Sequence, residues 1–204
     1  MSGKMIVLEG ITGSGKKILT NQLSERIRNA GFSVANISFP NFESDIAKLT
    51  KRGRFDSRTL ALLYAADRMQ SQEKIKELLE KGEVIISDRY CYSNFAYQHA
   101  RGMPLEWLME IEKSIIKPDI VILIDTPVET GIKRVQQAII EDFTKKEILD
   151  RLEKEKETIE RVRETYLYLA KTDKESRWFV VDGSDIGKAD EEIWRIVAEE
   201  LKII

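Results

Sequence analysis

Gly10-Ile11-Thr12-Gly13-Ser14-Gly15-Lys16-Lys17 follows directly on the apolar run Met5-Ile6-Val7-Leu8 and precedes Leu19, Leu23 and Ile27 at helical spacing. The order is strand, glycine-rich turn, helix. Glycines free the backbone to turn its N–H groups inward, so several can surround one anion at a helix N-terminus. A lysine closing such a loop supplies a mobile point charge for the outer phosphates of a nucleotide. The spacing Gly10-x4-Gly15-Lys16 reads as a nucleotide-triphosphate loop in the strand-to-helix setting that the motif requires. The plainer alternative is a glycine-rich βα turn with a surface lysine. One position breaks the pattern: where Ser or Thr would offer a hydroxyl to Mg2+, the chain has Lys17.

Outward from this loop, five runs rich in Val and Ile read as buried parallel strands: Met5–Glu9, Val34–Ser38, Val84–Asp88, Ile120–Asp125 and Trp178–Asp182. Helical stretches separate them, which predicts an α/β fold with a parallel sheet. Gly31 suits the C-terminal cap of the first helix. A short helix is expected near Glu43–Lys51, after the Phe39-Pro40 turn. Asp56-Ser57 offers an N-cap for one long helix from Arg58 to Lys81, closed by Gly82. Thr126-Pro127-Val128-Glu129 carries in turn a cap, a first-turn proline and a capping-box glutamate. The last helix, near Ala189–Leu201, spaces Ile193, Trp194, Val197 and Leu201 as a core stripe. No repeat or linker interrupts the chain, so its 204 residues are expected to form one domain.

Composition removes several classes of function. A chain 42% hydrophobic and 33% charged is that of a soluble globular protein, and its balanced signs are compatible with the ion-pair networks of a heat-adapted one. A net charge of -2 gives no reason to expect a nucleic-acid partner. The lone Cys91 excludes an internal disulfide and a cysteine zinc cluster, and the lone His99 argues against a histidine metal centre. No run approaches the roughly 18 apolar residues of a membrane span, and no signal-like segment precedes the first strand. The expected compartment is the cytoplasm, with no membrane partner.

Four further stretches carry chemistry. Tyr64 and Arg68 are four apart and share a helix face. Asp88-Arg89-Tyr90 ends the third strand, at the sheet edge where open parallel sheets bind ligands, though a buried Asp-Arg ion pair is the plain alternative. Ser93 to Gln98 read as a short helix with polar groups toward the same edge. From Gln136 to Glu164 the chain is almost wholly polar, with Lys145, Lys146 and Arg151 among many acids. That pattern suits a solvated helical hairpin or, over about 136–152, a lid carrying cations to transferring phosphates.

Leu8-Glu9-Gly10, Gly13-Ser14-Gly15-Lys16, Leu62 to Arg68, Asp88-Arg89-Tyr90 and Ala96-Tyr97-Gln98 together resemble thymidylate kinases, a family of P-loop nucleoside monophosphate kinases. The likeness continues through Lys117-Pro118-Asp119, Leu149-Asp150-Arg151 and Arg161 to Leu167, so it spans nearly the whole chain. It implies a three-layer α/β sandwich around a five-stranded parallel sheet with helices on both faces, a homodimer, and transfer of the γ-phosphoryl of ATP to dTMP with Mg2+, giving dTDP and ADP. By position, Gly10, Gly13, Ser14, Gly15, Lys16, Lys17 and Ile18 would hold the ATP phosphates and Arg134 would stack on adenine. Tyr64 would stack on thymine, Arg68 would bond a base carbonyl, and Asn94 would lie near the base, with Phe39 beside the acceptor. Tyr97 matches the tyrosine that crowds the sugar 2′ position. Lys16, Asp88, Arg89, Lys146 and Arg151 would form the catalytic set, with Asp88 positioning the metal or its waters.

The chain departs from the family at Lys17, at Thr12 where an Asp is usual, and at Phe42 where one branch places an acceptor-phosphate arginine. These departures leave open two other readings: a diverged nucleotide-binding paralogue with little kinase activity, and a kinase of another nucleoside monophosphate.

Overall fold

The computed structural model describes residues 3–141 and 154–203 and contains a five-stranded, all-parallel sheet in the order β2-β3-β1-β4-β5. The strands are β1 Lys4–Glu9, β2 Val34–Ser38, β3 Val84–Asp88, β4 Ile120–Asp125 and β5 Arg177–Asp182, so only the first and last begin a residue before the expected bounds. β1 is central: Leu8 lies opposite Asp88 on one neighbour and opposite Ile122 on the other. The glycine loop therefore leaves the middle of the C-terminal sheet edge.

Side chains alternate along each central strand. Ile6, Leu8, Ile120, Ile122 and Ile124 face one side, and Met5, Val7, Val121 and Leu123 the other. The first side is covered by α1 Lys16–Asn29, through Leu19, Leu23 and Ile27, and by the last helix, α9 Ile186–Glu200, through Ile193 and Val197. The second side is covered by α4 Gln72–Glu80, α5 Cys91–His99, α6 Leu105–Ile111 and α8 Lys156–Thr172, through Ile75, Phe95, Leu108 and Val162. Each such side chain contributes about 1.5–3 kcal/mol by leaving water. Strands buried on both faces need apolar residues at every position, which is why they read as unbroken Val/Ile runs.

Two local expectations meet a different outcome, and a third lies outside the described residues. The long helix from Arg58 to Lys81 is two, α3 Ser57–Met69 and α4. A continuous helix would bond the Arg68 carbonyl to the N–H of Gln72; here it accepts from Ser71 N at 3.1 Å and from the Gln72 side-chain amide at 2.9 Å. Polar side chains competing for backbone carbonyls end the helix. The capping box before α7 Val128–Glu141 is not formed: Thr126 Oγ1 is buried without a partner, and Glu129 pairs instead with Lys156 at 2.6 Å. Thr126 Oγ1 lies so close to Gly183 that a Cβ there would approach it to 2.0 Å. The core of the polar segment, including Lys146 and Arg151, lies outside the described residues.

Elsewhere the expected devices are present. Asp56 accepts from Thr59 N at 2.7 Å at the start of α3, and Gly31 and Gly82 take the left-handed conformation after α1 and α4. The short α2 runs Asp45–Arg52 and is capped by Ser44, which accepts from Ala47 N. A charge network joins Lys4, Asp119, Glu200 and Arg177. Among the described residues no helix is long and apolar enough to cross a membrane.

Two glycines let the loop lie against α7. A Cβ at Gly13 would come within 2.2 Å of Gly131 O, and one at Gly131 within 2.8 Å of Thr12 O. Gly131 is helical, so Gly131→Ala at an open site would gain up to about 1 kcal/mol of helix propensity. Here the collision should reverse the sign. We expect a net loss of about 1–3 kcal/mol in urea denaturation, and a stabilised variant would show that the approach is slack.

Candidate active site

The loop between β1 and α1 is built on three left-handed glycines: Gly10 at φ 151, Gly13 at 82 and Gly15 at 90. Those angles are nearly closed to residues with a Cβ, which fixes the glycine pattern. Lys16 is folded back into the loop it closes. Its Nζ donates to the carbonyls of Gly10 and Ile11 at 2.8 Å each and to Ser14 Oγ at 3.0 Å. Burial, reinforced by repulsion from Arg89, pushes the Lys16 ammonium down to about 7, against the pull of Asp88 and Glu9. The cation is thus held on weak neutral acceptors, from which a phosphate oxygen would readily draw it. Lys17 and Ile18 are exposed, and the Lys17 ammonium has no partner among the described residues.

Beside the loop lies a cavity of about 760 Å3. It is walled by the β2–α2 turn and α2 (Phe39, Pro40, Phe42, Lys51), by α3 (Tyr64, Arg68) and by α5 (Ser93, Asn94, Tyr97, Gln98), with Thr12 and Arg89 toward the loop. The helix spacing of Tyr64 and Arg68 thus delivers both to one cavity. Arg68 has a second commitment that the sequence did not reveal. Its Nε and Nη2 each donate to Glu112 at 2.5 Å, in a pair with both side chains buried. Asn94 Nδ2 donates to the same Glu112 at 2.8 Å and to Ala61 O at 3.0 Å. Asn94 Oδ1 and Gln98 Oε1 are buried and unpartnered. Two such acceptors in a cavity wall suit a ligand with N–H groups. A smaller cavity of about 270 Å3 between α5 and α8 holds none of the expected site residues.

Asp88 ends β3 and Arg89 follows it, but they are not the plain ion pair. Asp88 Oδ1 is buried without a hydrogen bond. Arg89 is left-handed at φ 70, a strained conformation for a residue with a Cβ. Its Nη1 donates to Ser93 Oγ at 2.8 Å and to Tyr166 Oη at 3.4 Å, and its guanidinium lies 5.4 Å from the Tyr97 ring centre. Burial alone would lower the Arg89 guanidinium; Tyr97, Tyr166, Glu9 and Asp88 outweigh it and raise it further. Tyr97 Oη also approaches Thr12 Oγ1 at 3.4 Å.

Behind Arg89 sits Glu9, fully buried, accepting from Tyr90 N at 2.8 Å, Ser93 N at 3.1 Å, Ser93 Oγ at 2.7 Å and Tyr166 Oη at 2.9 Å. Glu9 has a signal in the sequence, a carboxylate ending an apolar strand. Glu112 and Tyr166 have none, because their partners lie far along the chain. Arg134 stands apart from the 760 Å3 cavity: Nη2 donates to Ser184 O at 2.8 Å after β5, and Nη1 is buried and unpartnered. A third cavity, about 540 Å3, lies between α1, β2 and α4, and Lys17, Thr20, Lys74 and Asp88 are among its lining residues.

Against known proteins, the family description Thymidylate kinase matches residues 8–193. The chain is 39% identical over 179 residues to a protein named probable thymidylate kinase from Thermococcus kodakarensis, covering 81% of this chain and 83% of that one. It is 37% identical to one so named from Pyrococcus abyssi, covering 98% of both chains. A third, probable thymidylate kinase 1 of Saccharolobus solfataricus, is 36% identical over 97% of this chain and 98% of its own. Matched over nearly its whole length, the chain belongs to the thymidylate kinase family.

Proposed function

We infer that this protein transfers the γ-phosphoryl of ATP to dTMP, giving dTDP and ADP. The observation that carries the reading is the position of Arg89. It lines the acceptor-sized cavity, and its charge reaches Lys16 in the glycine loop. Phosphoryl transfer needs alignment of two phosphates and neutralisation of the charge between them, and little else from the protein. In this reading the loop amides hold the donor and Lys16 leaves its carbonyls for the outer phosphates. Arg89, braced by Ser93 and Tyr166, spans toward the acceptor phosphate. Tyr64 stacks on the base, Arg68 offers it the one nitrogen not used by Glu112, and Asn94 Oδ1 accepts from it. Tyr97, beside Thr12, fills the space of a 2′-hydroxyl.

Mg2+ takes one or two carboxylates besides substrate phosphates and waters, and the unpartnered Asp88 Oδ1 suits that use. Lys17 does not suit it, since an ammonium has no lone pair for a metal, and Ser14 Oγ already accepts from Lys16. When bound, the ion would neutralise charge on bridging phosphate oxygens. Lys17 also favours a second reading, a nucleotide-binding paralogue with little turnover. A homodimer belongs to this reading, and the exposed apolar side chains Leu49 on α2, Leu62 and Met69 on α3 and Met109 on α6 are what it would cover. Sedimentation reads that directly, and a monomer at micromolar concentration would refute it.

The direct test is an ATP-coupled assay across the common nucleoside monophosphates. We expect dTMP to be preferred and Lys16→Ala to abolish turnover in a folded protein; a wild type inactive on every acceptor would favour the paralogue. Arg68 needs a test that separates its two commitments. Arg68→Ala strands a buried carboxylate and should cost about 3–5 kcal/mol of stability. The double variant Arg68→Ala/Glu112→Gln should regain part of that stability without regaining dTMP affinity. If it recovers both, Arg68 only braces the fold. For Lys17, rate is titrated with magnesium in wild type and Lys17→Thr. The hydroxyl should raise turnover or steepen the metal dependence, whereas lost activity would mean that Lys17 is a working part of the site.

A further inference from the structure

Four cations line the acceptor cavity: Lys51, Arg68, Arg89 and Arg101. Arg68 is matched by Glu112, Arg101 by Glu155 at 3.0 Å, and Arg89 by the buried Glu9 behind it. Lys51 has no carboxylate among the described residues. Its Nζ sits instead 3.6 Å from the centre of the Phe42 ring. The two kinds of partner have different consequences. A carboxylate neutralises an ammonium and occupies its N–H groups, whereas an aromatic face holds it through the ring quadrupole and leaves both charge and donors available.

The platform itself is fixed. Asp67, fully buried on α3, accepts from Asn41 N at 2.7 Å and from Ser44 Oγ at 2.5 Å, clamping the chain on both sides of Phe42. This explains why a large aromatic stands 42% exposed at the cavity rim. One face of the ring carries a cation, and the cavity that both residues line has no other unneutralised charge among the described residues. A site that matches three of its four cations and leaves the fourth on a neutral platform is arranged for a ligand that brings negative charge to that place.

We propose that Lys51, held by Phe42, is a specificity-determining residue that binds the phosphate dianion of the acceptor, so that the cavity favours a nucleoside monophosphate over the unphosphorylated nucleoside. This rests on the cavity being the acceptor site. Phe42 occupies the position where an acceptor-phosphate arginine would be expected, and the cation comes instead from the next helix, one step behind an aromatic. Lys51 is exposed on α2, so replacing it removes charge with little packing.

The test measures binding of dTMP and of thymidine by calorimetry, with steady-state kinetics on dTMP, for wild type, Lys51→Met, Lys51→Arg and Phe42→Leu. Lys51→Met keeps the stem and removes the charge. It should weaken dTMP about tenfold or more, the worth of a charged hydrogen bond, and leave thymidine within about twofold, with the kinetic loss mainly in KM. Lys51→Arg should recover most of the loss. Phe42→Leu should show a smaller loss of the same selectivity, because the ammonium is no longer held in place. Unchanged dTMP binding by Lys51→Met, or equal loss of dTMP and thymidine, would overturn the assignment while wild-type dTMP turnover left the proposed function standing. A wild type that binds no monophosphate would overturn both.

Discussion

A single buried carboxylate ties the candidate site together. Glu9 ends the central strand and is shut off from water, yet it accepts four hydrogen bonds from the start of α5 and from α8, with Arg89 alongside. Burial pushes its carboxyl up, opposed by Arg89, Ser93, Tyr90 and Tyr166. A carboxylate in such a place is tolerated only with its lone pairs satisfied and a cation near. The requirement acts in both directions. Glu9 needs Arg89, and the left-handed backbone of Arg89 persists because the surrounding bonds determine it. Tyr166 brings α8, which follows the undescribed polar segment, into the same arrangement.

The cations of the site therefore differ in how far they are committed. Arg68 is bonded to the buried Glu112, and Arg89 to Ser93 and Tyr166 beside the buried Glu9, so both act as fixed walls. Lys16 is buried but rests on two carbonyls and a hydroxyl, so it is less committed than either arginine. Lys51 is held by a ring, and Lys17 is held by nothing among the described residues. This gradation suits a reaction in which the walls align and the mobile charges follow the transferring group.

The parts legible in the sequence were those with local causes. Strands buried on both faces show unbroken apolar runs, and the φ angles of Gly10, Gly13 and Gly15 demand glycine. Tyr64 and Arg68 reach one cavity because helix spacing alone aligns them. What escaped has non-local causes. Arg68 and Glu112 are 44 residues apart, and nothing in either neighbourhood announces the other. The break between α3 and α4 came from Ser71 and Gln72 taking the Arg68 carbonyl, a competition that apolar periodicity does not register. The capping box at Thr126 is absent because the hydroxyl is buried against Gly183 without a partner, a contact made far along the chain. The proposed stand-in for an arginine at Phe42 comes from the next helix, and only the fold brings Lys51 Nζ over that ring.

In the proposed reaction the charge of Glu9 holds Arg89 where the two phosphates would meet. Glu9→Gln keeps shape and most packing but removes the charge, and its kcat for dTMP phosphorylation is the measurement. We expect a fall of about a hundredfold or more with the fold retained by circular dichroism, the scale of losing a preorganised charged contact. A kcat within about twofold of wild type would contradict the account, because Arg89 would then be positioned without Glu9.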